Sequence, residues 1–343
     1  MLKQKIITGL TGLLIVLVIL WLMISRQDTE TTLKGSYFYL GTLIEITLYD
    51  TDDQALLKDL EATISFYDQL LDRNKADSDI SRLNQSKYSQ VHPHTYDLIS
   101  QAYSYSQVTQ GYFDITINPL VDLWAINTPD EQVPSNQAIQ EVLDHVDYRE
   151  IELLDDNYIR LGDHTSLDLG GIAKGFIADK LHDQLKEMGL SRALINLGGN
   201  IYAYGNSPND TAWNIGIKHP GPEGLGPILK LMLTDRSIVT SGVTERFFEQ
   251  DGIRYHHILN PFDGYPINND ILSVTIISDQ SIDGDALATG MFALGRQAAF
   301  EKLREFEDIE MIIITSSQGI YYSVSLENRL VLFDQAYQLI PVE

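Results

Sequence analysis

The chain contains no cysteine, which excludes disulfides, thiolate metal sites, cysteine nucleophiles and lipoprotein acylation. Positive charge is scarce: 24 Lys and Arg stand against 48 Asp and Glu, for a net charge of −24. So acidic a surface repels phosphate backbones and anionic lipid heads, and argues against nucleic acid or a polybasic membrane patch as a partner. It also means that a phosphate-bearing ligand needs a field locally reversed by a metal or a few placed cations. No alanine precedes Ala55, so the small-residue cleavage site of a signal peptide is missing from the N-terminal region. Neither the Gly-x-Gly-x-x-Gly dinucleotide fingerprint nor the Gly-x-Ser-x-Gly nucleophile elbow occurs, so a Rossmann fold and a hydrolase triad are not invoked. There is no internal repeat and no low-complexity tract.

What is present begins with Lys3 and Lys5, followed by an uncharged run from Ile6 to Ser25 and then Arg26. The apolar part, Ile6–Ile24, matches the roughly 20 residues a helix needs to cross a hydrocarbon core. The lysines on its short side keep the N-terminus inside and send the remainder out. Residues 1–25 are therefore expected to be a single uncleaved membrane anchor, 26–36 a polar linker, and 37–343 an extracytoplasmic domain. With 343 residues, 44% of them hydrophobic, the chain is long enough for one large domain or two smaller ones. No composition shift after residue 36 forces a boundary.

From Tyr37 the stretch YFYLGTLIEITLYD alternates as strands do, with a Gly-Thr break. Helical spacing covers 54–72, 95–110, 138–146 and 172–188, and 284–306 reads as one helical region. Strands are expected within 191–235 and at 270–278, with hairpins at 148–161 (turning at Asp155–Asn157) and 311–325. The segment holding Ser78, Ser81 and Asn84 reads as a polar loop. GYFDITINPLVDLW begins extended and is broken by Pro119. Helices and strands mix without a βαβ rhythm, which defines an α+β class.

Four segments carry polar groups suited to chemistry. SLDLGGIAKGFIADK (166–180) sets Asp168 and a Gly-Gly turn before a helix bearing Lys174; glycines allow close backbone approach, and a helix start favours phosphate. Taken alone, it reads equally as a plain strand–turn–helix junction with a surface lysine. In DGDALATGMFALG (283–295), Asp285 and Thr289 share a helix face at i, i+4 and offer hard oxygens that suit Mg²⁺; the same spacing also fits a helix cap with a back-bonded threonine. Of the adjacent His256 and His257, a strand can aim only one into a pocket, where it could serve as a general base. INLGGNIYAYG (195–205), and TSGVTERF (240–247) taken together with the histidine stretch YHHILNPFDGYP (255–266), complete the set.

In order and spacing these segments resemble the ApbE family. Asp168–Gly175 matches its Asp-Leu-(Gly/Ser)-x-Ile-Ala-Lys-Gly motif, Asn196–Asn200 its Asn-x-Gly-Gly-(Asp/Asn), Thr240–Gly242 its Thr-Ser-Gly, His256–Pro261 its His-His-Ile-x-(Asp/Asn)-Pro, and Asp285–Thr289 its Asp-Ala-x-x-Thr. Leu40-Gly41-Thr42, Ser78–Asn84 and Phe113–Trp124 match upstream elements, so the resemblance spans about residues 37–325. It implies an enzyme that cleaves FAD at its pyrophosphate, attaches FMN to a Thr or Ser hydroxyl through a phosphoester, and releases AMP. The implied acceptor is an exported flavoprotein with a Ser/Thr-Gly-Ala-Thr-type site. Also implied are Mg²⁺ on Asp285, Thr289 and the Gly171 carbonyl, an FAD site lined by Leu40, Tyr112, Phe113, Asp114, Asp168, Lys174 and Leu259, and His257 as the base. Three positions depart from the family pattern: Leu40 stands for Met, Asn260 for the Asp of many members, and Phe262-Asp263-Gly264 for Arg-Thr-Gly. An FAD pyrophosphatase giving free FMN and AMP, and a non-catalytic flavin carrier, remain as competing expectations; the older thiamine-biosynthesis role attached to this family has no physical support in the residues.

Overall fold

The structure, a computed structural model, describes residues 31–221 and 224–343. The expected anchor lies outside these residues. Among the described residues no helix is long and apolar enough to cross a membrane.

A nine-stranded sheet forms the frame. Its order is Thr32–Tyr39, Thr42–Tyr49, Ala193–Leu197, Asn200–Tyr204, Arg236–Gly242, Ile271–Ser278, Glu310–Thr315, Gly319–Ser323 and Gln338–Val342. Neighbours are antiparallel except the last pair. The central strands are covered on both faces. Val274, Ile276, Met311 and Ile313 pack with Leu287, Met291 and Phe292 of the helix Ser281–Leu294. Ile238, Ile277, Ile312 and Ile314 turn the other way, onto Ile215, Leu229 and Leu231 of a small sheet. Burial on both faces explains why MIIIT reads as an unbroken apolar run rather than an alternation.

The helix Gln54–Leu71 buries Leu57, Leu60, Ile64 and Leu71 against Ile44, Ile46 and Leu48, and Asp53 caps its first turn by accepting the Ala55 N–H at 2.9 Å. The helix Ala173–Glu187 packs beside it and against Ser281–Leu294. The Ser281 helix lacks a local cap; Asp179 of the neighbouring helix accepts its Ser281 and Ile282 N–H groups at 2.6 and 2.9 Å. Two helices are thereby locked end to side, with Lys174 on one and Asp285 on the other.

Several expectations need correction. Thr32–Tyr39 is a strand paired to Thr42–Tyr49, so residues 32–36 are part of the fold and not linker. Only Leu33 of that stretch is buried, and a strand with one wet face and polar ends reads as linker. Asp79–Ser86, expected as loop, is a helix whose N-cap Ser78 accepts the Ser81 N–H at 3.0 Å. Pro119 starts a helix, Asn118–Trp124, instead of breaking an extended segment; in the first turn its missing N–H costs nothing. The region 284–306 is two helices, Ser281–Leu294 and Arg296–Leu303, separated at Gly295, whose φ of 83° is left-handed. The hairpin turning at Asp155–Asn157 and the one at 311–325 both form as expected.

Candidate active site

One cavity of about 650 Å³ opens where the Lys174 helix, the Asp285 helix and the central strands meet. It is lined by Tyr112, Phe113, Asp114, Asp168, Gly171, Lys174, His257, Leu259, Asp285 and Thr289, residues drawn from four widely separated stretches of chain. Leu40 is not among the lining residues, although its neighbours Gly41 and Thr42 are. It occupies the tight turn between the first two strands with φ 52°, and its N–H donates to Asp68 Oδ1 at 2.8 Å. The Leu40 side chain packs instead against the core cluster that holds Ile44 and Leu71, which leaves it out of the cavity lining.

The Gly-Gly turn is built from its own motif. Asp168 Oδ1 accepts the Gly170 N–H at 2.7 Å and Oδ2 pairs with Arg73 Nε at 2.8 Å, while Arg73 also grips Asp122 at 2.6 Å. A Cβ placed on Gly171 would lie 3.3 Å from the Phe113 ring and 3.7 Å from Thr289 Oγ1, so the bare backbone at this position borders the Thr289 hydroxyl. Lys174 Nζ donates to the Gly170 carbonyl at 2.7 Å and lies 3.3 and 3.4 Å from the two Asp285 oxygens. The Gly175 N–H donates to Asp285 Oδ2 at 2.9 Å. Asp285 is only 3% exposed, and these two donors are what make a buried carboxylate tolerable there. Lys174 thus answers a carboxylate instead of projecting free at the helix start. Ser241 Oγ stands 3.4 Å from Thr289 Oγ1.

Asp114 lines the cavity but spends its oxygens inward. Oδ1 accepts from the Thr116 N–H and hydroxyl at 2.7 and 2.6 Å, and Oδ2 from the Tyr148 N–H at 2.9 Å. Burial nevertheless raises its pKa to about 6. Its role in the geometry is to hold the loop that presents Tyr112 and Phe113; Tyr112 meets Phe262 edge-on, ring centroids 4.9 Å apart.

The two histidines separate cleanly. His256 is buried, its Nε2 on the Ile267 carbonyl at 2.9 Å and its ring edge-on to Phe292. His257 faces the cavity, with Nδ1 3.3 Å from the Arg246 carbonyl and Nε2 3.9 Å from Glu245 Oε2. A carbonyl can only accept, so Nδ1 carries the proton and Nε2 presents a lone pair. Burial first, and then the charge of Arg246, pushes the His257 pKa down to about 3. For Glu245 burial is the largest cause, opposed by Lys174 and Arg246, and the result is a rise to about 7. Both side chains remain partly open to the cavity, with 29% and 39% of their surface exposed, so solvent screens part of these shifts.

Sequence reasoning missed Lys218, Arg246 and Glu245, which also line the cavity, and Arg73 behind Asp168. Glu245 and Arg246 lie inside the TSGVTERF segment already singled out, but no spacing marked them individually, and nothing local marks Lys218 or Arg73. Lys174, Lys218 and Arg246 set three cations on a cavity whose lining also carries Asp114, Asp168, Glu245 and Asp285, in a chain of net charge −24.

Asp285 carboxylate, Thr289 hydroxyl and the Gly171 backbone are hard oxygens bordering one space. Among the described residues no group of three or more His, Asp or Glu could hold a metal alone. Few protein oxygens beside a cavity suit Mg²⁺, which keeps waters and takes phosphate oxygens as further ligands.

Comparison with known proteins gives a consistent picture. The profile described as the ApbE family matches residues 40–313. A protein of Klebsiella pneumoniae named FAD:protein FMN transferase is 38% identical over 88% of this chain and 95% of its own length. One of the same name from Treponema pallidum is 34% identical over 88% and 89%. Among solved structures, the ApbE protein of Thermotoga maritima superposes with a TM-score of 0.80 at 28% identity, covering 87% of this chain and 99% of that one. The flavin transferase ApbE of Vibrio cholerae gives 0.79 at 25% identity, covering 88% and 99%.

Proposed function

The chain belongs to the ApbE family and is a flavin transferase, and from that premise we propose that it moves the FMN half of FAD onto a Thr or Ser hydroxyl of an exported flavoprotein, with Mg²⁺, releasing AMP. The observation that carries this reading is the meeting of Lys174, Asp285, Thr289 and His257 on one cavity large enough for a dinucleotide. Phosphoryl transfer asks a protein for alignment and charge neutralisation more than for covalent chemistry. Asp285, Thr289 and the Gly171 carbonyl are the groups that would hold Mg²⁺, whose contribution when bound is to neutralise the diphosphate. Lys174, Lys218 and Arg246 add fixed positive charge around the same space. Tyr112, Phe113 and Leu259 offer apolar surface for rings, while Asp168, anchored by Arg73, keeps the Gly-Gly turn open to a phosphate. The His257 Nε2 lone pair takes the proton of the incoming hydroxyl as its oxygen attacks phosphorus. The acceptor protein carries a Ser/Thr-Gly-Ala-Thr-type site in this reading.

We also infer that the catalytic domain is extracytoplasmic and held at the membrane by residues 1–25. What supports it is the Lys3/Lys5 asymmetry around the Ile6–Ile24 run. Protease added to intact cells should remove the domain; protection from it would overturn the orientation.

The reaction is tested by incubating the protein with FAD, Mg²⁺ and a candidate acceptor, then imaging a denaturing gel under UV light. Covalent flavin fluorescence on the acceptor, lost in Asp285→Ala, supports transfer. FMN and AMP without labelled protein would establish the pyrophosphatase instead, and FAD binding without turnover the carrier.

A further inference from the structure

We propose that Glu245 is a positioning residue for His257: its carboxylate holds the imidazolium formed when Nε2 takes the hydroxyl proton, then passes that proton to cavity water. This rests on the transfer reaction proposed above.

The arrangement follows from strand register. Phe247–Gln250 and Ile253–His256 pair with Phe247 opposite His256, which sets Arg246 opposite His257. The His257 N–H donates to the Arg246 carbonyl at 3.1 Å, and Nδ1–H uses the same oxygen at 3.3 Å. With Nδ1 committed, Nε2 is the nitrogen available to the cavity, and it is the one 3.9 Å from Glu245 Oε2. That gap is too long for a direct hydrogen bond, yet an oxygen about 2.8 Å from each would subtend roughly a right angle, so a hydroxyl fits between them. Among the described residues, His257 is the single cation-forming side chain within ion-pair reach of Glu245.

The charges around the pair make the carboxylate necessary. Lys174, Lys218 and Arg246 face Glu245 along with Asp285, and Arg246, Lys174 and His256 face His257. Two of these, Arg246 and Lys174, are permanent cations that oppose a protonated imidazole at His257. Burial acts in the same direction, and Glu245 is the acidic group placed to offset it. The step balances: a bond forms between the acceptor oxygen and the FMN phosphorus. The bond from that phosphorus to the bridging oxygen breaks, and its electron pair leaves with AMP. The hydroxyl proton moves to Nε2, on to Glu245, and then to solvent.

The test uses the full chain with FAD, Mg²⁺ and an acceptor protein bearing a Ser/Thr-Gly-Ala-Thr-type site, comparing wild type with Glu245→Gln and Glu245→Asp. Glu245→Gln should bind FAD within about twofold and melt as the wild type does. Its kcat should fall roughly 10- to 100-fold, a fraction of what a general base contributes. Wild-type kcat should rise with pH through neutrality as the carboxylate ionises, and Glu245→Gln should lose that rise. Glu245→Asp should recover part of kcat. A Glu245→Gln kcat within twofold of wild type with the same pH profile refutes the relay alone, as does a loss carried entirely by KM for FAD. Failure of wild type to label any acceptor refutes the transfer reading and the relay with it.

Discussion

Replacing Gly175 by alanine sets a local rule against a tertiary one. Gly175 is in the first turns of the helix Ala173–Glu187. By helix propensity alone, Gly175→Ala should stabilise the protein by about 1 kcal/mol. The structure says otherwise. A Cβ there would overlap the Ser281 carbonyl oxygen and sit 2.7 Å from Ile282 Cα and 2.8 Å from Ser281 C. Ordinary carbon contacts are about 3.5–4.0 Å, so the two helices must part by roughly 1 Å, and the obstruction is backbone that cannot swing aside. Overpacking of this kind costs about 1–3 kcal/mol. The same separation strains the Gly175 N–H to Asp285 bond at 2.9 Å and the Asp179 cap on Ser281 and Ile282. A hydrogen bond to a charged group is worth about 1.5–3 kcal/mol, so losing one brings the net, after the propensity gain, to about 1.5–5 kcal/mol of destabilisation. For a domain of this size that lowers Tm by roughly 2–8 °C. Differential scanning calorimetry reads it directly. Gly226→Ala is the control, since nothing lies within 4 Å of a Cβ there and its φ is not left-handed; it should be neutral within about 1 kcal/mol. A Gly175→Ala protein that melts at or above wild type would refute the claim that close backbone contact sets the Lys174–Asp285 geometry.

Three further outcomes are expected. His257→Ala should abolish acceptor labelling with little change in Tm, whereas His256→Ala should lower stability by about 1–3 kcal/mol, through the lost Ile267 bond, while the folded fraction still labels; equal loss of labelling in both would end the assignment of the base. Asp114 has a folded pKa of about 6, raised by burial above the unfolded value, so the folded state holds its proton more tightly and this group's contribution to stability is lost as pH rises from about 4 to 6. Asp114→Asn should remove that loss, so urea unfolding compared between pH 4 and 7 should show a smaller decline in the variant; an identical decline would contradict it. Arg73→Ala should free Asp168 and weaken FAD binding measured by flavin fluorescence, leaving kcat at saturating FAD nearly unchanged; a loss confined to kcat would place Arg73 in the chemistry instead.

Much of the fold was legible because its causes are local. Side chains at helical spacing mark Gln54–Leu71 and Ala173–Glu187, and the turn at Asp155–Asn157 announces its hairpin. Where the reading failed, a short polar element was stabilised by a single capping bond, as with Ser78, or a lone apolar residue was the only sign of an edge strand, as with Leu33.

The candidate site divides along the same line. Residue order alone placed Asp285 and Thr289 on one helix face, put Lys174 beside the Gly-Gly turn, and showed that the paired histidines must diverge, since each follows from the period of a helix or strand. Only the folded chain decided which histidine meets the cavity, that Lys174 answers Asp285, that Leu40 stays outside, and that Glu245 stands against His257. Those are matters of register between strands and of helices crossing where one glycine permits it. Such contacts join residues up to 111 positions apart, as Lys174 and Asp285 are, and no short window of sequence encodes them.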